Sequence, residues 1–353
     1  MARAPHPPSR LVALLLPEKN PVTSLLLIAM VGVYGLLALR TGTWMSFDVF
    51  ALLLSGANFG PSTLAGMEFY RLLTYGALHG GLLHLLFNGY ALSVLGPMIE
   101  ERLGSTRFAL VFVAAIIGGG LASALLHSPP VPSVGASGGI LGLVGAGLAL
   151  LHGRQDAPAQ ALRTSLLQWL FIMAIFSLFG ATAGLRIDNW CHLGGLLTGA
   201  AVAWLVTRME ATAPRARRWE TGLAVGLLVI TLAGPALRQV WLADVPLDRG
   251  QTESQQERVR QQAWAPCRDA LTTGRYDQAL RPCRAYHNVL FGYPIGHELM
   301  LLVHEAQGNA FLADRHRALL QAYGVAPPPP RSAEEAQRQI PLLINRLDHA
   351  RFR

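Results

Sequence analysis

Long apolar runs, separated by short polar connections, dominate the first two thirds of the chain. A helix needs roughly 20 mostly apolar residues to cross the hydrocarbon core of a bilayer. Seven runs approach that length, at 22–39, 77–98, 108–126, 134–151, 166–183, 190–207 and 221–242. The pattern predicts an all-α, polytopic transmembrane helix bundle, in which six helices form a core over 21–210 and a seventh follows a basic loop within 211–243.

The composition supports a membrane protein. Hydrophobic residues make up 52% of the chain and charged residues 14%, whereas a soluble domain has about 25% charged residues. The formal net charge is +8, but the arginines lie beside apolar runs, so nucleic-acid binding is not expected. With three cysteines and no CxxC pair, neither a disulfide scaffold, a metal site nor a cofactor is expected.

The basic residues predict how the bundle is oriented, because cytoplasmic connections carry an excess of Lys and Arg. With residues 1–20 in the cytoplasm, the inside connections hold Arg3, Arg10, Lys19, Arg102, Arg107, Arg154, Arg163, Arg208, Arg215, Arg217 and Arg218. The opposite side holds Arg40, Arg71, Arg186 and Arg238. Seven spans then place the C-terminal tail outside the cytoplasm.

The tail, 244–353, is polar and is expected to form a small soluble helical domain. Residues 267–289 resemble two short helices joined at Gly274, with apolar residues at three- and four-residue spacing. One such pair fits a single tetratricopeptide-like unit, which would bind proteins, or a helical domain of another kind. Cys267 and Cys283 fall one on each helix, and a disulfide between them is chemically allowed outside the cytoplasm.

The first candidate for chemistry is Ser137, within Gly135–Gly139 at the start of the fourth predicted span. Glycines on both sides permit a tight turn and leave the hydroxyl accessible. Gly138, Gly142 and Ala146 also form a small-residue face suited to helix packing. A packing role does not explain a serine at the helix entrance, so a nucleophile is the favoured interpretation.

The second candidate is His192, at the start of the sixth span. Gly195 and Gly199 lie three and seven residues further on, so the histidine shares a helix face with a small-residue contact stripe. Under the predicted topology, Ser137 and His192 lie at similar depth below the outer face. A nucleophile and its general base require that proximity.

The second span carries His84 and Asn88, four residues apart and on one helix face. Their N–H groups are suited to stabilising an oxyanion, and interhelical hydrogen bonding is the equal alternative for this pair. The spacing puts the pair one to two turns deeper than Ser137, with His79 near the interface. The charged turn from Glu100 to Arg107 is interpreted as a structural link between the second and third helices.

Together these motifs resemble the rhomboid family of intramembrane serine proteases over about 20–210. The motifs, in the family's order, are HxxxN at His84 and Asn88, ExRxG at Glu100, Arg102 and Gly104, GxSG at Gly135 to Gly138, and HxxGxxxG at His192, Gly195 and Gly199. The resemblance implies a six-helix bundle around a water-filled cavity that opens to the outer face of a bacterial inner membrane.

The same resemblance implies the site residues. Ser137 would be the nucleophile and His192 the general base and acid, without a third member. His84, Asn88 and the Ser137 N–H would form the oxyanion hole, and the substrates would be transmembrane proteins within the lipid bilayer. The fifth helix and the loop 180–184 would form a movable wall and lid.

The chain departs from the family pattern at two places. Cys191 stands before His192 where the family has a smaller residue, and Tyr70–Arg71 stands where the family has Trp-Arg. Asp188, four residues before His192, is a candidate orienting group but is expected in an exposed loop. Two other functions stay open: an inactive relative that binds membrane proteins, and a transporter that uses the polar residues as a pathway.

Overall fold

The computed structural model describes residues 20–65, 67–127, 131–180, 187–208, 224–226, 228–237, 264–289 and 294–349. In chain order the helices are α1 (Pro21–Thr41), α2 (Val49–Leu54), α3 (Arg71–Thr74), α4 (Leu82–Leu103), α5 (Ser105–Leu126), α6 (Ser137–Leu150), α7 (Ala157–Gly180), α8 (Asn189–Arg208), α9 (Ala224–Leu237), α10 (264–272), α11 (Tyr276–Val289), α12 (Pro294–Ala306), α13 (Ala310–Ala322) and α14 (Ala333–Asp348).

Five of these helices, α1, α4, α5, α7 and α8, are long and apolar enough to cross a membrane. The described residues contain isolated β-bridges but no strand. The all-α membrane bundle predicted from the sequence is therefore confirmed. The seventh predicted span overlaps α9, a shorter apolar helix, and the rest of that span lies outside the described residues.

Helix boundaries differ most from prediction at α4 and α7. The predicted span 77–98 began too early, because Leu78 is extended and α4 starts only at Leu82. The apolar stretch before it forms α3 and a 3₁₀ turn instead, and hydropathy does not distinguish these from a continuous helix. The helix α7 starts before its apolar run because the Asp156 carboxylate accepts a hydrogen bond from Ala159 N at 3.0 Å, which caps the helix.

The helix α6 occupies the centre of the bundle. Residues 138–147 are all buried, and the closest neighbours of α6 are α8, α5 and α4. A helix of 14 residues is only about 21 Å long, shorter than the roughly 30 Å hydrocarbon core of a bilayer. Residue 137, directly before the buried stretch, is partly buried.

Glu100 binds the N-terminus of α1 from near the end of α4. Its carboxylate accepts hydrogen bonds from Val22 N (3.1 Å), Thr23 N (2.9 Å) and Thr23 Oγ1 (2.7 Å), and from Ser105 Oγ at 2.7 Å. The backbone N–H groups at a helix start lack intrahelical partners and carry partial positive charge, so a buried carboxylate there is stabilising. The sequence predicted that this turn links the second and third helices. In the structure, three of the four hydrogen bonds to Glu100 come from the first helix, α1.

We predict that Glu100→Gln lowers the free energy of unfolding in detergent by about 1.5–3 kcal/mol, the range for hydrogen bonds to a charged group. The amide would place N–H donors against donors on α1 and would remove the charge at the helix terminus. The matched control is Glu101→Gln, because Glu101 is exposed at the adjacent position. Equal unfolding midpoints for the two variants would contradict this role for Glu100.

The tail forms the second compact unit together with Asp48–Leu54 and Gly60–Phe69. In the structure these two segments, the first of which contains α2, group with tail residues. The domain boundaries proposed from the sequence stay a prediction. A π-helical turn at Pro61–Ala65 packs on α13, and Arg315 of α13 pairs with Glu68 at 3.0 Å.

The hydrophobic core of the tail is formed by buried apolar side chains of α10, α11, α12 and α14. Cys267 and Cys283 are joined by a disulfide across α10 and α11, and both are fully buried. The turn between these helices is at Gly274, where φ is +69°, a conformation that favours glycine. The two short helices predicted for 267–289 are therefore present.

Candidate active site

The backbone turn at Gly135 sets the position of Ser137. Gly135 has φ of +119°, and its N–H donates to Tyr75 O at 3.0 Å. A Cβ there would lie 2.7 Å from the His84 ring, so both the conformation and the available space require glycine. Ser137 is the first residue of α6, so its own backbone N–H has no partner within the helix.

The helices α6 and α8 pack with their backbones in direct contact. A Cβ at Gly195 would lie 2.1 Å from Gly138 O, and one at Gly199 would lie 2.1 Å from Gly142 O. No side chain fits at such distances, so the two helices approach only because all four residues are glycines. The contact stripe predicted from the sequence is confirmed. Its close packing determines how near the starts of α6 and α8 lie to each other.

This packing brings His192 against Ser137. The His192 Nε2 atom lies 2.8 Å from Ser137 Oγ, and both residues are partly buried. The distance is that of a hydrogen bond in which the hydroxyl donates when Nε2 carries no proton. In that tautomer, Nε2 is positioned to accept the hydroxyl proton.

Asp188 caps α8 and is largely buried, which corrects the expectation of an exposed loop. Its Oδ1 accepts from Cys191 N at 2.9 Å, and its Oδ2 accepts from Ser123 Oγ at 2.5 Å. His127 Nδ1 lies 3.5 Å from the same carboxylate. The two hydrogen bonds of the Asp188 carboxylate go to Cys191 N and Ser123 Oγ, so Asp188 orients the start of α8.

His84 and Asn88 lie level with the Ser137 turn, not one to two turns deeper as predicted. The position of a Cβ on Gly135 is 2.7 Å from His84 Nε2 and 3.8 Å from Asn88 Nδ2. The depth estimate was wrong because α4 begins at Leu82, five residues later than the predicted span. One N–H of the Asn88 amide donates to His84 O at 2.9 Å, which fixes the side chain on its helix face.

His79 is buried within the protein, with 1% of its surface exposed, and its position near the membrane interface stays a prediction. Its ring lies edge-on to that of His84, with the ring centroids 5.1 Å apart. The turn before α4 folds His79 back towards the bundle, and the sequence alone does not reveal that reversal. His79 therefore restricts the orientations available to the His84 ring.

Cys191 and Tyr75 pack on the far side of the Ser137 helix start. The Cys191 Sγ would lie 2.9 Å from a Cβ on Gly138 and 3.1 Å from one on Gly119, so glycines provide the space that the larger side chain needs. The Tyr75 hydroxyl donates to Ile116 O at 2.6 Å and lies 3.4 Å from Cys191 Sγ. Sequence reasoning missed Tyr75 and Gly119, although the Gly118–Gly120 run was a signal of close packing.

Arg71 is fully buried, with NH1 donating to Ala57 O at 2.8 Å. The first loop is therefore held by a buried hydrogen bond from Arg71 of the Tyr70–Arg71 pair.

The helix α7 contacts α4 through two aromatic pairs, Phe87 with Phe176 at 5.5 Å and Tyr90 with Trp169 at 6.0 Å between ring centroids. Of the loop predicted as a lid, residues 181–184 lie outside the described residues.

A helical membrane bundle in which a partly buried serine and histidine are in contact at the starts of two helices defines the class of protein. Comparison with known families gives a match to the Rhomboid domain over residues 66–209. The chain is 30% identical over 182 residues to "Putative rhomboid protease YdcA" of Bacillus subtilis, a match that covers 50% of the chain and 88% of that relative. The chain belongs to the rhomboid family and is an integral membrane protein.

Other relatives are matched over smaller parts of their length. "Rhomboid protease GluP" of Bacillus subtilis is 38% identical over 179 residues, which are 50% of this chain and 34% of the relative. "RHOMBOID-like protein 6, mitochondrial" of Arabidopsis thaliana is 36% identical over 151 residues, 43% of this chain and 48% of the relative. The match therefore spans about a third to a half of those two relatives.

We predict that Gly195→Ala destabilises the bundle by about 1–3 kcal/mol, the usual cost of overpacking. Its Cβ would meet backbone atoms of Gly138, which cannot move aside as a side chain does. The control is Gly35→Ala in α1, where nothing lies within 4 Å of the added Cβ. Thermal unfolding in detergent should separate the two variants, and a Gly195→Ala protein as stable as wild type would contradict the packing described.

Proposed function

We propose that the protein is an intramembrane serine endopeptidase that cleaves transmembrane protein substrates with a Ser137–His192 dyad. The 2.8 Å contact between Ser137 Oγ and His192 Nε2 is the observation that carries the proposal. The names of two relatives, "Rhomboid protease GluP" and "Putative rhomboid protease YdcA", support the activity. The proposed protease core is 21–210.

In the proposed reaction, His192 Nε2 accepts the hydroxyl proton as Ser137 Oγ attacks the scissile carbonyl. The protonated imidazole then gives the proton to the leaving amine, and water hydrolyses the acyl-enzyme with the same base. A nucleophile and base held 2.8 Å apart need no rearrangement before the attack. The backbone contact between α6 and α8 supplies this preorganisation.

The proposed oxyanion hole consists of His84, Asn88 and the backbone N–H of Ser137. The N–H of the first helical residue has no intrahelical partner, and the helix dipole adds partial positive charge there. The two side chains border the same turn from α4, within 3.8 Å of the position of a Gly135 Cβ. Three donors that converge from two helices would stabilise the negative charge that develops on the carbonyl oxygen.

The proposed substrates are transmembrane helices that enter beside α7. Within its candidate span α7 has the smallest buried share of the five long apolar helices, 17%, which is compatible with a wall that moves. An intact helix keeps its carbonyls in hydrogen bonds, so segments weakened by Gly, Pro or small residues should be cut more readily. A protein-binding role for the tail stays a prediction.

The proposed orientation places the N-terminus in the cytoplasm and the tail on the opposite side. The arginine distribution supports it. The Cys267–Cys283 disulfide supports it independently, because structural disulfides persist in oxidising compartments and are rare in the cytosol. The active site would then open towards the outer face.

We predict that Ser137→Ala and His192→Ala each abolish cleavage of a reporter transmembrane substrate in liposomes. Each substitution removes a group that forms or breaks a bond, so residual activity should be at least about 10³-fold lower. Ser93→Ala is the control, because Ser93 is exposed and donates only to Tyr90 O on its own helix.

The same assay separates the rival functions. If Ser137→Ala and His192→Ala cleave a panel of helix-weakened substrates as wild type does, the dyad assignment fails. If wild type cleaves none of them but co-purifies with them, the protein is a membrane-protein binder. A fluorophosphonate label that reaches wild type but not Ser137→Ala would independently support an activated serine.

We predict that Asn88→Ala lowers kcat by about 10²–10³-fold with little change in KM, as expected when one donor to an oxyanion is removed. The control is Leu86→Ala on the same helix, because Leu86 is 56% exposed and points away from the turn. A rise in KM alone would mean that Asn88 contacts the substrate in the ground state rather than the oxyanion.

A further inference from the structure

The most unusual cluster outside the proposed active site lies in the tail, where three helices each contribute a histidine. His287 is on α11, His297 on α12 and His316 on α13. One ring nitrogen from each lies within 4.8 Å of those from the other two. His297 is buried, and the other two are partly buried.

The nitrogen separations match those of a metal site. His287 Nε2 lies 3.1 Å from His297 Nδ1, which lies 3.3 Å from His316 Nδ1. Two imidazole nitrogens on a tetrahedral Zn²⁺ at about 2.05 Å are about 3.3 Å apart. Two of the three nitrogen pairs therefore already stand at the spacing of metal ligands, and the third pair, His287 with His316, lies within 4.8 Å.

Hydrogen bonds between the rings do not fully explain the short distances between the ring nitrogens of His287, His297 and His316. A ring nitrogen is either a donor or an acceptor, and it has a single in-plane direction for a partner. The Nδ1 atom of His297 faces two other ring nitrogens, so it makes at most one well-aligned hydrogen bond. A cation between the three nitrogens would satisfy all of them at once.

The electrostatic surroundings favour neutral rings, the form that binds metals. Burial, with the nearby His287 and Arg315, lowers the pKa of His297 to about 2. Burial, with the nearby His287, His297, His304 and Arg315, lowers the pKa of His316 well below its usual value. The positive charge of Arg315 is balanced by Glu68, 3.0 Å away, so it presents a smaller barrier to a cation.

We propose that His287, His297 and His316 bind a divalent transition-metal ion, with Zn²⁺ the best match. Imidazole nitrogens suit zinc, copper and nickel, whereas Mg²⁺ and Ca²⁺ prefer oxygen ligands. Three protein ligands leave a fourth position for water or another ligand. Because the ligands come from three helices, the ion would bind α11, α12 and α13 together and stabilise the tail.

The test is isothermal titration of the full-length, tag-free, chelator-treated protein in detergent with Zn²⁺, and with Mg²⁺ as the negative arm. We expect one zinc per chain and a higher unfolding midpoint with zinc. His297→Ala should weaken zinc binding by about 100-fold or more, since even outer-shell changes cost about 10–100-fold. His349→Ala is the control, because that histidine is exposed and bonds Asn345 O within its own helix.

Wild-type protein that binds no zinc, or no more tightly than the His297→Ala variant, would overturn the proposal. His316→Gln preserves much of the side-chain volume, so it separates loss of a ligand from loss of the fold, with circular dichroism as the check. Ser137→Ala should bind zinc as wild type does. The metal site and the proposed protease activity can therefore fail independently.

Discussion

The bundle depends on a contact between two backbones. The glycines of α6 and α8 bring the helices so close that a single methyl group on Gly195 would lie 2.1 Å from Gly138 O. Lipid tails are as apolar as leucine, so membrane helices gain little from burying apolar side chains against each other, and close van der Waals contact must hold them. This contact determines the distance between Ser137 and His192. Ser137 is the first residue of α6, and His192 lies in the first turn of α8.

Other parts of the first unit restrict that pair from several directions. Gly135 turns the chain so that α6 begins at the serine. Asp188 caps α8, because its Oδ1 accepts from Cys191 N and its carbonyl oxygen accepts from His192 N. Glu100 accepts three hydrogen bonds from the start of α1 and a fourth from Ser105 Oγ at the start of α5. Glu100 is a buried polar group with its hydrogen bonds satisfied, which is the condition for keeping such a group in a low-dielectric interior. Preorganisation of the site is thus distributed over α1, α4, α6 and α8.

The tail is held by different forces. It has an apolar core, a disulfide and ion pairs such as that of Arg315 with Glu68. Histidines in the first unit approach a serine and a glycine turn, whereas those of the tail approach one another. In the two proposals the same residue type takes part in two different chemistries, and the neighbouring groups decide which one.

The sequence by itself determined the helical membrane class, the order of the spans, the glycine stripes and the pairing of Ser137 with His192. These features depend on local composition and on helical periodicity, and both can be recognised from the spacing of residues that are close in the sequence. The start of α4, the depth of His84 and Asn88, the burial of His79 and the role of Glu100 in binding α1 needed the tertiary structure. So did the three-histidine cluster, since its members lie 10 and 19 residues apart on separate helices. Contacts between helices depend on turns and on packing in three dimensions, and neither has a fixed spacing along the chain.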